Sequence, residues 1–236
     1  MSWKEYNENL VRYDDLGFTL DLSLMDVNQA YRDGLADKVS KAFADMVALE
    51  GGAIANPDEG RMVGHYWLRN ADLAPTPEIK AAITEPLKAL KRFAEAVHTG
   101  AVRAANGSPF KHVLLIGIGG SALGPQLLSQ AIGQKVKMPI HFFDNTDPQG
   151  IDDTLATLNL EQTLVLVISK SGGTPETRNG MLEAKAAFEK AGIDFGKHTV
   201  AVTGEGSKLD KFAAEQGFIA RAMGNAVADE ADADLR

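Results

Sequence analysis

The stretch Thr163-Leu164-Val165-Leu166-Val167-Ile168 decides the fold class of this 236-residue chain. Every residue after Thr163 is aliphatic, which predicts a strand that is buried on both of its faces. Similar runs at residues 112–116, 140–143 and 198–203 are each followed by a glycine-rich or polar turn. Because apolar strands that alternate with helical segments form parallel sheets covered by helices, we predict an α/β fold with a doubly wound parallel sheet.

A helical region is predicted ahead of this sheet. Between Asp26 and the pair Gly51-Gly52, apolar residues recur at steps of three and four, as on one face of a long helix. Thr76 and Pro77 are typical of the start of a second helix, and Thr84-Glu85-Pro86 predicts that a further helix begins there. We therefore divide the chain into a helical region at residues 1–106, an α/β domain at residues 107–221 and an acidic tail at residues 222–236.

Composition and charge argue against several functional classes. Apolar residues make up 44% of the chain and charged residues 24%, as in ordinary globular domains. The net charge of -8, without a concentrated basic stretch, argues against nucleic acid as a partner. No apolar run has the length of a signal peptide or of the roughly 18 residues of a membrane span, so we expect a cytoplasmic protein with no membrane partner. Cysteine is absent and the histidines are scattered, so we predict no metal site.

The first of three loops between a strand and a helix is Gly117-Ile118-Gly119-Gly120-Ser121-Ala122-Leu123-Gly124. Its glycines permit close approach of the backbone to a ligand, and the free amides at the following helix start favour an anion. Gly117, Gly119 and Ala122 also match the dinucleotide fingerprint Gly-x-Gly-x-x-Gly/Ala, with Asp144 after the next strand to bind a ribose. An NAD-dependent oxidoreductase is therefore one interpretation, and a tight turn that only packs a helix against a strand is another.

The second loop, Ser169-Lys170-Ser171-Gly172-Gly173-Thr174-Pro175-Glu176-Thr177, follows the most apolar of the predicted strands. Its hydroxyls, one lysine and several backbone amides meet at a helix start, where Thr174 is predicted to cap the helix and Pro175 to take the first helical position. These groups can satisfy the acceptor oxygens of a phosphate, while Lys170 and the helix dipole offset its charge. The spacing differs from Gly-x4-Gly-Lys-Ser/Thr, so a nucleoside triphosphate is not indicated. The third loop, residues 203–207, has no net positive character, and we interpret it as structural.

Gly117–Pro125 and Ser169–Thr177, taken together and in this order, resemble two motifs of the glucose-6-phosphate isomerase family. The resemblance extends to Arg61–Arg69 and to Val202–Gly204. It implies a sugar-isomerase (SIS) type α/β domain, a sugar-phosphate substrate, a role in glycolysis and gluconeogenesis, no cofactor, and a homodimer. The residues that it implies for substrate binding are Gly119, Gly120, Ser121, Ser169, Lys170, Ser171 and Thr174.

The catalytic residues of that family find no match in the chain. Isomerisation of an aldose to a ketose through an enediol requires a carboxylate base, an electropositive group for the developing oxyanion, and help with ring opening. The family supplies these groups from a Gly-Gly-Arg segment and from a glutamate, a histidine and a lysine farther along. We therefore expect a truncation before the base, no catalytic residue, and little or no activity of the isolated chain. A sugar-phosphate sensor without catalysis is the alternative from the binding class.

Overall fold

The structure, a computed structural model, describes residues 2–58, 60–133 and 137–220. The chain forms two compact units, one ending at Pro77 and the other beginning at Glu78. The helix that starts at Pro77 therefore belongs largely to the second unit, although we predicted it as part of the helical region at residues 1–106. Residues 107–221 remain our proposed extent of the α/β domain, and the predicted tail at residues 222–236 lies outside the described residues.

The first unit combines helices with short antiparallel hairpins. Its elements are α1 (Trp3–Glu8), β1 (Leu10–Tyr13), β2 (Phe18–Asp21), α2 (Gln29–Glu50), β3 (Ile54–Asn56), β4 (Arg61–Met62) and α3 (His65–Arg69), with 3-10 turns at Asp14–Leu16 and Ala71–Leu73. Helix α2 confirms the predicted long helix: Asn28 caps its start, and Gly52 follows its end with a left-handed φ of 100°. The hairpins β1-β2 and β3-β4 were not predicted, because strands this short offer too little alternation to detect.

A parallel sheet with the strand order β6-β5-β7-β8 lies at the centre of the second unit. Its elements are α4 (Pro77–Thr99), β5 (His112–Ile116), α5 (Gly120–Ile132), β6 (Ile140–Phe143), α6 (Pro148–Thr157), β7 (Thr163–Ser169), α7 (Pro175–Lys190), β8 (Thr199–Thr203) and α8 (Lys208–Glu215). Further 3-10 turns at Leu160–Gln162 and Gly196–His198 lead into β7 and β8. This arrangement confirms the predicted doubly wound α/β fold.

Helix α4 runs without interruption through Pro86, where a new helix start was predicted. That prediction was wrong. A proline inside a helix removes one hydrogen bond and costs about 3 kcal/mol. Phe93 and Val97 on the second half of α4 pack in one hydrophobic cluster with Leu164 of the sheet. Burying each such side chain contributes about 1.5–3 kcal/mol, so packing outweighs the penalty at Pro86.

Separate hydrophobic clusters lie on the two faces of the sheet. One contains residues of β5, β7 and β8 beneath α6, α7 and α8, and the other joins the opposite face to α4. Because alternate residues of a strand point to opposite faces, the aliphatic residues in the middle of β7 supply both clusters. Val165 and Val167 belong to the first cluster, and Leu164 belongs to the second.

Candidate functional site

The three loops emerge at one edge of the sheet, beyond the carboxyl ends of β5, β7 and β8. The register pairs Ile116 with Val167 and Ser169 with Thr203, so the loops that follow lie side by side. From β5 the chain crosses through α5 to β6, whereas from β7 it crosses through α7 to β8, in the opposite direction. Because such crossovers are right-handed, we expect α5 and α7 on opposite faces of the sheet, with a crevice between the first and second loops. Doubly wound sheets bind ligands at this kind of switch point.

The second loop presents hydroxyl groups at the start of α7. The hydroxyl oxygens of Ser169 and Thr174 are 3.1 Å apart, and Ser171 Oγ accepts the N–H of Gly173 over 3.2 Å. Thr174 takes the predicted N-cap position, but the predicted capping bond is wrong, because its hydroxyl pairs with Ser169 instead. The first N–H groups of α7 therefore have no hydroxyl cap and are available to an anion.

Lys170 extends from this loop into solvent. It forms no ion pair with any residue in the described ranges. The backbone N–H groups of Lys170 and Ser171 also lack a hydrogen-bond partner in the part of the chain that the structure describes. One ammonium and two amides can therefore bind an anion without first breaking an existing contact.

The glycines of the first loop have different structural roles. A Cβ on Gly117 would lie 3.0 Å from Ser121 Cβ and 3.2 Å from the carbonyl oxygen of Ile168, so Gly117 allows the first loop to pack closely on β7. Gly119 has a φ of 55°, a left-handed value that favours glycine. A Cβ on Gly119 or Gly120 would meet nothing within 4 Å, so space beside the start of α5 is open.

A cavity of about 410 Å³ lies beside the second loop, where α7 approaches α8. Of the predicted site residues, Ser169 and Thr174 line this cavity, whereas Gly119, Gly120, Ser121, Lys170 and Ser171 do not. The cavity is also lined by polar residues that the sequence analysis did not assign to the site: Thr177, Arg178 and Lys208. The spacing of three and four residues from Thr174 is the signal that points to Thr177 and Arg178, because such residues share one side of a helix.

Thr177 is the most informative of these residues. Its side chain is 4% exposed, and Oγ1 has no hydrogen-bond partner among the residues described. A buried hydroxyl left unpaired costs about 1–3 kcal/mol. Thr177 is therefore suited to form a hydrogen bond with a molecule in the cavity.

Asp144, the acid required by the dinucleotide interpretation, is engaged by neighbouring amides. Its Oδ2 accepts Gln126 Nε2 over 2.6 Å, and its Oδ1 accepts Asn145 Nδ2 over 2.8 Å. A ribose hydroxyl would have to compete with these amides, so this geometry gives the oxidoreductase interpretation no support.

The described residues contain neither a metal-binding cluster nor a membrane-spanning helix. Within that part of the chain, no three side chains of His, Cys, Asp or Glu are grouped closely enough to hold a metal ion. None of its helices combines the length and the apolar character needed to cross a membrane.

Comparisons with known proteins point to one family. A family model described as Phosphoglucose isomerase matches residues 25–221. The glucose-6-phosphate isomerase of Trichormus variabilis is 53% identical over 221 residues, and that of Synechococcus elongatus is 54% identical over 222 residues. The alignments cover 92% and 93% of this chain, which spans 42% of the length of each of these curated relatives. A solved glucose-6-phosphate isomerase from Chlamydia trachomatis is similar with a TM-score of 0.73 and 27% identity, over 95% of this chain and 43% of that chain.

Proposed function

Because this chain belongs to the phosphoglucose isomerase family, we propose that it forms the sugar-phosphate-binding part of an enzyme that interconverts glucose 6-phosphate and fructose 6-phosphate. The second loop carries this proposal. Its hydroxyls, Lys170 and an uncapped helix start lie together at the switch point of the sheet. Such a set of donors matches the acceptor oxygens and the charge of a phosphate.

In this proposal, the phosphate lies in the crevice between the first and second loops. Hydroxyl and amide donors of the second loop bind its oxygens, and Lys170 and the dipole of α7 offset its charge. Gly119 and Gly120 permit close approach of the first loop, where Ser121 adds a hydroxyl. The proposed substrate-binding residues are Gly119, Gly120, Ser121, Ser169, Lys170, Ser171 and Thr174.

Binding the phosphate positions the sugar but does not move a proton. Transfer between C1 and C2 through an enediol requires a carboxylate base beside those carbons. None of the proposed binding residues is a carboxylate. We therefore propose that this chain contributes binding and orientation, and that the base is supplied outside the residues assigned here.

Partners and location form a second part of the proposal. The net charge of -8 supports the absence of a nucleic-acid partner. A homodimer, a cytoplasmic location and a role in glycolysis and gluconeogenesis are proposed from the family.

Thermal unfolding with 6-phosphogluconate tests the binding function, with gluconate as the control that lacks the phosphate. A ligand that binds only the folded state stabilises it by about 2.7 kcal/mol at a hundredfold excess over Kd. We expect a dose-dependent rise in Tm with 6-phosphogluconate and no rise with gluconate. Lys170→Ala should reduce the rise, whereas Lys91→Ala, on the exposed side of α4, should not. A cooperative melt that neither compound shifts would contradict the proposal.

A further inference from the structure

The third loop holds two carbonyl groups of the second loop in place. Thr203 Oγ1 donates to the carbonyl oxygen of Ser169 over 2.6 Å, and the N–H of Gly204 donates to the carbonyl oxygen of Lys170 over 3.1 Å. Thr203 is fully buried, so water cannot replace its hydroxyl without rearrangement of the loop. The Ser169 carbonyl also accepts the N–H of Gly172 over 3.1 Å, within the second loop. Consecutive peptide groups of the second loop are thus held from the side of β8 and, at Ser169, by the loop itself.

Fixing these carbonyls also fixes the amides on the same peptide groups. A trans peptide is planar, and its C=O and N–H point in opposite directions. The Ser169 carbonyl shares a peptide with the Lys170 N–H, and the Lys170 carbonyl shares one with the Ser171 N–H. Because β8 and β5 flank β7 on opposite sides, amides that point away from the third loop point toward the first loop. That direction leads into the crevice.

Ser207 extends this contact to the start of α8. Its Oγ accepts the N–H of Asp210 over 3.0 Å and lies 2.9 Å from Thr203 Oγ1. Thr203 has one hydroxyl hydrogen, which is directed at the Ser169 carbonyl, so Ser207 is the donor to Thr203. A chain of hydrogen bonds therefore runs from α8 through Ser207 and Thr203 to Ser169, and bonds in such chains strengthen one another.

We propose that Thr203 is a positioning residue for phosphate binding. Its hydroxyl holds the second loop so that the N–H groups of Lys170 and Ser171 face the crevice, while Thr203 itself contacts no ligand. This inference rests on the proposed function and assigns the third loop a role beyond the structural one predicted from sequence.

Two substitutions at one position test the role of the hydroxyl. Thr203→Val keeps the shape of the side chain but removes the donor, and Thr203→Ser restores it. We expect Thr203→Val to weaken binding of 6-phosphogluconate about 10-fold in calorimetry, the effect of losing one hydrogen bond. Amide hydrogen exchange should become faster in Thr203→Val at Gly204 and Gly172, whose N–H groups donate to the carbonyls of Lys170 and Ser169 over 3.1 Å each. It should return to the wild-type rate in Thr203→Ser.

Thr199→Val provides a matched control for general destabilisation. Thr199 lies at the other end of β8, is also fully buried, and donates to the carbonyl of Phe195 over the same 2.6 Å. We expect a similar drop in Tm for Thr199→Val and Thr203→Val. For Thr199→Val, the affinity and the amide exchange at Gly172 and Gly204 should be unchanged. Equal affinity losses in both variants would overturn the positioning role.

The two readouts separate this inference from the proposed function. If the wild-type chain does not bind 6-phosphogluconate, the proposed function fails, and the exchange rates still decide whether Thr203 holds the loop. If the wild type binds and Thr203→Val binds equally well, the positioning role fails alone. Should Thr203→Val not fold, Ser207→Ala removes the donor to Thr203 and should change affinity and exchange in the same direction, to a smaller extent.

Discussion

Thr174 stands at the N-cap of α7, yet its hydroxyl lies 3.1 Å from that of Ser169 and makes no bond to the helix. The start of α7 therefore combines a capping residue with free amide donors. Because the Thr174 hydroxyl does not cap α7, a substitution at this position can change stability and anion binding in opposite directions.

Thr174→Asp should stabilise the protein and abolish sugar-phosphate binding. An aspartate at this position can cap α7 and interact favourably with its dipole, which raises the free energy of unfolding by about 0.5–1 kcal/mol. The same negative charge repels a phosphate. Urea unfolding and calorimetry with 6-phosphogluconate measure the two effects, and Thr174→Ser should leave both near wild type. Normal binding by Thr174→Asp would show that the phosphate does not lie at the start of α7.

Thr177→Val should raise the free energy of unfolding by about 1 kcal/mol, because it removes a buried hydroxyl that has no partner among the described residues. Thr163→Val is the matched control. Thr163 is fully buried too, but its hydroxyl donates to the carbonyl of Asn159 over 2.7 Å, so its loss should lower stability by about 1 kcal/mol. If the Thr177 hydroxyl is unpaired in the free protein, denaturant unfolding will show that the free energy of unfolding rises in Thr177→Val and falls in Thr163→Val. If Thr177 also binds the ligand, Thr177→Val will weaken binding while it stabilises the fold.

Gly172→Ala should destabilise the protein by about 2 kcal/mol or more and weaken sugar-phosphate binding. Gly172 has a φ of 65°, which costs an L-residue about 1–2 kcal/mol. A Cβ there would also lie 2.5 Å from Ser207 Oγ and push the second and third loops apart. At the neighbouring Gly173, a Cβ would meet only Ser171 Oγ at 3.9 Å, so Gly173→Ala should change stability by less than about 0.5 kcal/mol. Similar losses in both variants would argue against contact between the loops.

Stability should fall as the pH drops below about 6.5, because of the buried His198. Nδ1 lies 2.9 Å from the carbonyl of Thr163, which can only accept, so Nδ1 carries the hydrogen and Nε2 accepts the N–H of Ala105 over 3.2 Å. Burial lowers the pKa of His198, although the Thr163 carbonyl and the charge of Asp194 oppose this effect.

The direction of this pH dependence follows from the pKa values of His198 in the unfolded and folded chain. As the pH falls, the unfolded chain takes up a proton at His198 before the folded chain does. The free energy of unfolding is therefore highest above about pH 6.5 and decreases as the pH falls toward the lower pKa of the folded state. The slope approaches about 1.4 kcal/mol per pH unit for one such histidine. Burial, together with His112, also lowers the pKa of His141. Urea unfolding between pH 5 and 8 should therefore show a flatter profile for His198→Gln and for His141→Gln than for wild type.

The sheet could be predicted from sequence because its strands carry their own signal. All but the first and last residues of β7 are aliphatic, and the loops after β5 and β7 place glycines and hydroxyls where the strands end. Helix α6 was not assigned, although Asp147 caps it and Pro148 takes its first position, both ordinary start signals. The uninterrupted α4 could not be predicted, because the packing that carries it past Pro86 comes from strands distant in sequence.

The site likewise contains residues that could be predicted from local sequence and contacts that could not. Residues within one loop, such as Ser169 and Thr174, could be assigned from their types and spacing. The contact of Thr203 with Ser169 depends on the register between β7 and β8, which no local pattern encodes. Likewise, the cavity residue Lys208 is brought near the second loop only by the packing of α8.

The departure of α5 and α7 to opposite faces of the sheet has an evolutionary consequence. Helix α7 is anchored by buried residues along its length, Met181, Ala184 and Phe188 among them, whereas the crevice is bordered by the turns that precede the two helices. Exposed loop positions such as Ser171 and Gly173 can therefore vary without disturbing the packing on either face. At such exposed positions, ligand preference can change while folding stability is retained.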